Sequence, residues 1–171
     1  LILLPLSLYA QSPVDRLANT LDSLATVSFD AWKMSPDLKA ARLEGVNPAA
    51  PEFDDSKWET LKLEQRVYPD SCWLRKEIVL PGRILDKPVE GRIRLLLTLD
   101  DYGSLWVNGE ARGKFLWDGS FVLTEEARPG DRFTLAIRAV NTGGPLRLMR
   151  AQLEMESTRT IAGTLRDFAV S

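Results

Sequence analysis

The 171-residue chain contains no His and a single Cys. Without His it lacks the commonest general base and metal ligand near neutral pH, and with Cys72 alone it forms neither an internal disulfide nor a thiolate zinc cluster. Any chemistry has to run on carboxylates, hydroxyls, Lys or Arg. An excess of one charge is missing too: 22 Lys and Arg against 24 Asp and Glu leave a net charge of −2, and no window gathers the cations into a stripe that could track a phosphate backbone. Nucleic acid is therefore not an expected partner. Long apolar runs are absent as well. The run Leu1 to Ala10 (LILLPLSLYA) is too short to span a bilayer, so no membrane span is expected. Followed at once by polar Gln11 and Ser12, it reads as a truncated signal peptide over 1–10, which implies a secreted or periplasmic protein; a buried N-terminal strand is the alternative. What is present, 44% apolar and 27% charged residues, suits one globular domain with a two-layer core.

Val14, Leu17, Ala18, Leu21, Leu24 and Ala25 recur at three- and four-residue steps behind Ser12 and Pro13, which predicts a short helix within 11–26. From Met34 to Tyr68, Pro36, Gly45, Pro48, Pro51 and the Asp54-Asp55-Ser56 turn predict mostly irregular chain, with one helical turn near Leu38 to Leu43. After Cys72 the period becomes two. Leu74, Ile78 and Leu80 fall on one face and Trp73, Arg75 and Glu77 on the other; Ile93, Leu95, Leu97 and Leu99 alternate with polar residues, as do Phe133, Leu135, Ile137 and Ala139. In Pro145 to Met155 the inward set is read as Arg147, Met149, Ala151, Leu153 and Met155. Asp101-Tyr102-Gly103, Asn108-Gly109, Asp118-Gly119, Pro129-Gly130-Asp131 and Asn141 to Gly144 read as turns, Asn108-Gly109 most strongly because a type I′ turn needs positive φ at both residues. Short strands at this spacing, with no crossover helix, predict an all-β antiparallel β-sandwich over 27–156 with short flanking helices. Ser157 to Ser171 turns helical again, with Ile161, Leu165 and Phe168 on one stripe. It is read as the start of a linker toward a further domain or as a helix packed back on the sandwich.

Four segments, in this order, resemble the galactose-binding-like, jelly-roll N-terminal sandwich of glycoside hydrolases: Phe53-Asp54-Asp55-Ser56-Lys57-Trp58, Cys72-Trp73-Leu74-Arg75 running to Pro81, Asp101 through Trp106 to Asn108-Gly109-Glu110, and Pro129-Gly130-Asp131 running to Asn141. The likeness covers roughly residues 50 to 155 and is similar to the module beside bacterial α-mannosidase catalytic domains and to its relatives in the β-galactosidase and β-glucuronidase group. It implies an accessory carbohydrate-binding-like or structural module, non-catalytic by itself, with the catalytic carboxylates in another domain and an α-mannosidase-like parent. Cys72 stands where that family often has Gly. An autonomous carbohydrate-binding module and a ligand-free interaction domain are the other readings.

Glycoside hydrolysis needs two carboxyl groups about 5 to 9.5 Å apart. Asp54-Asp55 and Asp100-Asp101 are adjacent pairs, and neighbours on an extended strand point to opposite faces, so no catalytic residue is assigned; Asp54 and Ser56 read as turn caps. A sugar ring stacks on an exposed indole while nearby polar groups bind its hydroxyls. Of the five Trp residues, three are expected in the core. The candidate ligand residues are Trp73, Arg75, Asp101, Trp106, Asn108, Trp117 and Asp118, centred on the Asn108 and Asp118 loops. They would meet a carbohydrate or an adjacent catalytic domain. Arg75 and Arg138 are read first as cross-strand ion pairs with Glu77 or another acidic residue. Asp100, Asp101, Asn108, Asp118 and Asp131 supply oxygens without EF-hand spacing, so no metal and no cofactor is expected. Cys72 reads as a small buried hydrophobe.

Overall fold

The computed structural model describes residues 12–24, 26–38, 47–84 and 87–170. The leader read at 1–10, and the helical turn expected at Leu38 to Leu43 beyond Leu38 itself, lie outside these residues. Helix α1 runs Pro13–Leu24. Its first turn is closed by Ser12, whose hydroxyl accepts from the Asp15 backbone N–H at 3.0 Å, while the Asp15 carboxylate accepts from the Ser12 N–H at 3.2 Å. This is a capping box with Asp in the Glu position. The strands are β1 Thr26–Ser28, β2 Ala31–Met34, β3 Glu59–Lys62, β4 Ser71–Val79, β5 Arg83–Ile84, β6 Lys87–Pro88, β7 Ile93–Val107, β8 Glu110–Thr124, β9 Arg132–Val140 and β10 Arg147–Met155, followed by helix α2 Glu156–Val170.

All but β5 and β6 join one 8-stranded sheet in the order β1-β10-β7-β9-β4-β2-β3, with β8 added on β7. Every pairing in it is antiparallel. Strand β7 shows how one sheet becomes a sandwich. Its first half pairs with β10 and its second half, from Tyr102, with β9, while β8 follows it along both. The register breaks between Leu99 and Tyr102, the sheet curls there, and its two halves enclose one core. The chain is an all-β antiparallel β-sandwich with short helices. Alternate residues fill it: Leu95, Leu97 and Leu99 of β7, Leu74 and Ile78 of β4, and Leu135 and Ile137 of β9 are all buried. Each contributes about 1.5–3 kcal/mol by leaving water.

Several expectations change at this level. Asp101 to Gly103 and Asp118-Gly119 are not turns; both lie inside the 15-residue strands β7 and β8. Glycine serves packing there. A Cβ at Gly103 would stand 2.3 Å from Phe115 Cζ, and one at Gly119 would stand 2.7 Å from Phe121 Cε2 and 2.9 Å from Phe115 Cγ. Asn108-Gly109 is the two-residue hairpin turn joining β7 to β8, with φ of 50° and 83°. Strand β10 changes phase. Leu146 and Leu148 are buried, as are Ala151, Leu153 and Met155, because a bulge between Leu148 and Arg150 inserts one residue. Arg147 and Met149 are thus not inward residues. β3 was hidden in the stretch read as irregular, being only 4 residues long with one buried position, Leu61.

Only Trp32 of the five Trp residues is fully buried; Trp58, Trp73 and Trp106 are half-buried and Trp117 is exposed. Helix α2 packs on α1. Its buried residues are Thr158 and Ala162, while Ile161 of the expected stripe is exposed, Leu165 is half-buried and the Phe168 side chain lies outside the described residues. The reason is steric: Ala18 of α1 and Ala162 of α2, both fully buried, let the helices approach closely.

Cys72 is fully buried, and burial, helped by the charge of Asp37, pushes its thiol from the ordinary 9.0 up to about 12. The native thiol is therefore expected to ignore Ellman's reagent at pH 8 and to react only as fast as the chain unfolds. The sign for stability follows. Between pH 9 and about 12 the unfolded chain releases this proton and the folded one keeps it, so the contribution is intact below pH 9 and is lost as pH rises toward 12. Urea midpoints at pH 8 and pH 10.5, compared between the wild type and Cys72→Ala, check this: only the wild type should carry the loss.

Candidate functional site

Cross-strand register places three rows of side chains on the outer face of β4, β9 and β7. The first row is Trp73, Arg138 and Ser104, continued on β8 by Lys114; the second is Arg75, Ala136 and Trp106; the third is Val140 and Tyr102, continued by Leu116. Trp73 and Trp106 stand on strands separated by β9, yet their rings meet at 5.0 Å between centroids, tilted 53°. They meet because the residue between them on β9 is Ala136, whose small side chain is 0% exposed beneath the two indoles. A tilted pair at this spacing is worth about 0.5–1.5 kcal/mol beyond its area. Arg138 and Lys114, beside the pair, are exposed, and neither meets a carboxylate among the described residues.

Arg75 lies on this face but is not available to a ligand. It is 1% exposed, and of the acidic partners open to it, Glu77 or another, it takes Asp55 at 2.9 Å. Its Nη1 donates to the carbonyls of Pro48 and of Ala50, the latter at 3.0 Å, its Nη2 donates to that of Phe53 at 3.4 Å, and the guanidinium sits 5.3 Å from the Phe53 ring centroid. The alternation that put Arg75 on an outward face was right about the face. What it missed is that residues 47–58 fold back over that face and close it. Asp54 caps the turn in this loop, accepting from the Ser56 N–H at 2.9 Å, and those bonds hold its carboxyl below the usual value. Asn108 is also occupied: its side-chain carbonyl accepts from the Thr134 N–H at 2.8 Å.

The remaining candidates lie apart from the indole pair. Asp118 sits in the middle of β8, eight residues or up to about 27 Å of strand from the turn end at Glu110. It accepts from the Thr98 hydroxyl at 2.5 Å and from Arg150 at 3.0 Å. The Asn108 and Asp118 positions therefore do not form one loop cluster. Trp117, next to Asp118, is exposed with a φ of 62°. Asp101 accepts from the backbone N–H and the hydroxyl of Thr142 at 2.7 and 2.5 Å, which lowers its pKa. Burial and the neighbouring Asp101 carboxyl raise that of Asp100, against the pull of Arg147.

Neighbours on an extended strand point apart; here, beside the break in register at Leu99 to Tyr102, the two carboxyls are near enough to influence each other's pKa. Among the described residues no cluster of three or more Asp, Glu, Cys or His side chains could hold a metal, and no helix is long and apolar enough to cross a membrane. Sequence reasoning missed the third row. Tyr102 and Leu116, 46% and 63% exposed, and Val140 are outward apolar residues at adjacent cross-strand positions, a patch visible only once register is known.

No protein-family model matches the chain, and no curated protein matches it. Its fold is similar to part of several solved glycosidases. β-Glucuronidase 2 of Bacteroides uniformis matches at 21% identity with a TM-score of 0.58, over 75% of this chain and 17% of that one. A glycosyl hydrolase family 2 member from Bacteroides cellulosilyticus DSM 14838 matches at 18% identity with a TM-score of 0.57, over 76% and 20%. A β-glycosidase from Bacteroides vulgatus matches at 18% identity with a TM-score of 0.53, over 73% and 20%. At such identities the likeness establishes the fold, and the matched region is about a fifth of each of these enzymes.

Proposed function

We propose that this chain is the non-catalytic sandwich module of a larger glycoside hydrolase, seated beside a catalytic domain that supplies the carboxylates this module lacks. The observation that carries the proposal is the shared fold with one segment, 17 to 20%, of the glycosidases named above. The galactose-binding-like assignment and the Trp73-Leu74-Arg75 and Asn108-Gly109 segments belong to the same reading. For the parent we favour the β-glucuronidase and β-glycosidase side of the resemblance over the α-mannosidase group, a preference that the names of the solved neighbours support. Export, to the periplasm or outside the cell, rests on the Leu1 to Ala10 pattern.

The third row supports the same role. Val140, Tyr102 and Leu116 form a contiguous exposed apolar row on one side of the sandwich, the kind of patch that a second domain covers. The test is to express the complete reading frame and this chain separately and to assay each on p-nitrophenyl β-glucuronide, β-galactoside and α-mannoside. The expected result is hydrolysis of at least one substrate by the longer protein and none by this chain. A reading frame that closes directly after Ser171, or a longer protein inert on every glycoside, overturns the proposal.

A further inference from the structure

The first row differs in kind from the apolar row beside it. Arg138 lies directly across from Trp73 on one side and from Ser104 on the other, Lys114 follows Ser104 on β8, and Trp106 leans over Ala136 to meet Trp73. In a chain of net charge −2, this stretch of surface carries two cations that meet no carboxylate among the described residues. An interface with another domain would leave both charges to be compensated. A ligand with its own negative charge would supply that compensation.

We infer that the Trp73 and Trp106 pair with Arg138 and Lys114 is a binding site for an acidic glycan, a pyranose chain whose rings carry carboxylates. The inference rests on reading the chain as a carbohydrate-enzyme module and adds the ligand class. Each part has a physical role. An indole offers an apolar face to the C–H side of a pyranose. The planar guanidinium of Arg138 matches a carboxylate with two parallel N–H donors, the Lys114 ammonium adds a second charge, and the Ser104 hydroxyl between them serves a ring hydroxyl. The spacing fits. Neighbouring strands stand about 4.8 Å apart, so a ring resting by the indole pair has Arg138 within about one strand spacing and Lys114 within about two. Arg75, the cation whose position in the sequence invites the same role, is excluded by its four acceptors in the 47–58 loop.

The test is calorimetric titration of the 171-residue chain with trigalacturonate, with its methyl ester, which keeps the rings and masks the charge, and with neutral galactotriose. Trigalacturonate is expected to bind, and the ester and the neutral sugar about tenfold or more weaker, as loss of a charge-assisted hydrogen bond predicts. Arg138→Met, an exposed substitution that leaves the indole pair in place, is expected to cost about the same factor, and Lys114→Ala less. Equal affinity for acid and ester, or an Arg138→Met chain that binds as tightly as the wild type, overturns the inference. So does silence from a sample whose near-UV circular dichroism shows it folded; the row is then a domain contact. Silence together with an active longer protein removes the glycan site and leaves the module reading standing. Binding by this chain together with an inert longer protein does the reverse.

Discussion

Arg75→Met is expected to lower the unfolding free energy by about 3–5 kcal/mol, the cost of removing one partner from a buried ionic network. Methionine keeps the length of the stem but no donor, so the carbonyls of Pro48, Ala50 and Phe53 and the Asp55 carboxylate lose the group that holds them. Pro48 and Ala49 are buried, which keeps water from replacing it without opening the loop. Lysine is not expected to rescue, because a single ammonium cannot serve acceptors spread over residues 48 to 55 as a five-donor fork does. Asp55→Asn is the milder control: its side chain is 26% exposed and a neutral oxygen remains, so about 1–2 kcal/mol is expected. Urea unfolding followed by Trp fluorescence measures all three, and proteolysis within 47–58 separates local opening from global loss. A Met variant within 1 kcal/mol of the wild type would mean that the loop stands on other contacts.

The second large effect is expected at Gly103. Alanine there puts a methyl carbon 2.3 Å from Cζ and 2.4 Å from Cε1 of Phe115, a ring that is itself buried against Gly119 and edge-on to Phe121 at 5.7 Å. With Gly119 behind it the ring has little room to retreat, and about 3 kcal/mol of destabilisation is expected, at the upper end for overpacking. Phe115→Leu removes the atoms in conflict. In Gly103→Ala/Phe115→Leu the two costs should therefore fall short of their sum by about 1–2 kcal/mol in a double-mutant cycle. Additive costs would show that the alanine acts on the strand and not through the ring.

Much of the sandwich was legible in the sequence because it is written in short-range rules. Asn108-Gly109 announces a hairpin turn since few other pairs accept two positive φ values, and Ser12-Pro13 announces a helix start since a hydroxyl and a fixed φ belong there. The alternation in β4, β7 and β9 follows from a one-sided core. The failures arise where the cause is tertiary. Gly103 and Gly119 look like turn residues, and only the position of Phe115 explains them as gaps for a ring. The bulge before Arg150 shifts the phase of β10 by one, which no periodicity anticipates. For the site, local pattern put Trp73, Arg75 and Trp106 on outward positions. That Ala136 lets two indoles meet, and that a loop from residues 47–58 occupies Arg75, depends on strand order and register.

Strand β8 pairs with β7 alone, so among the described residues 15 consecutive positions present an open flank of backbone donors and acceptors. Such a flank is a template for adding foreign strands. Its safeguard is the backbone itself: at Trp117, with φ at 62°, the extended run is interrupted near its centre, and Lys114 and Asp118 place charges on either side of the break. An incoming strand finds a straight stretch only a few residues long before it must follow a left-handed kink. The conformation of one residue thus stands against strand addition along this flank, and aggregation on heating is expected to begin there, where the kink loosens.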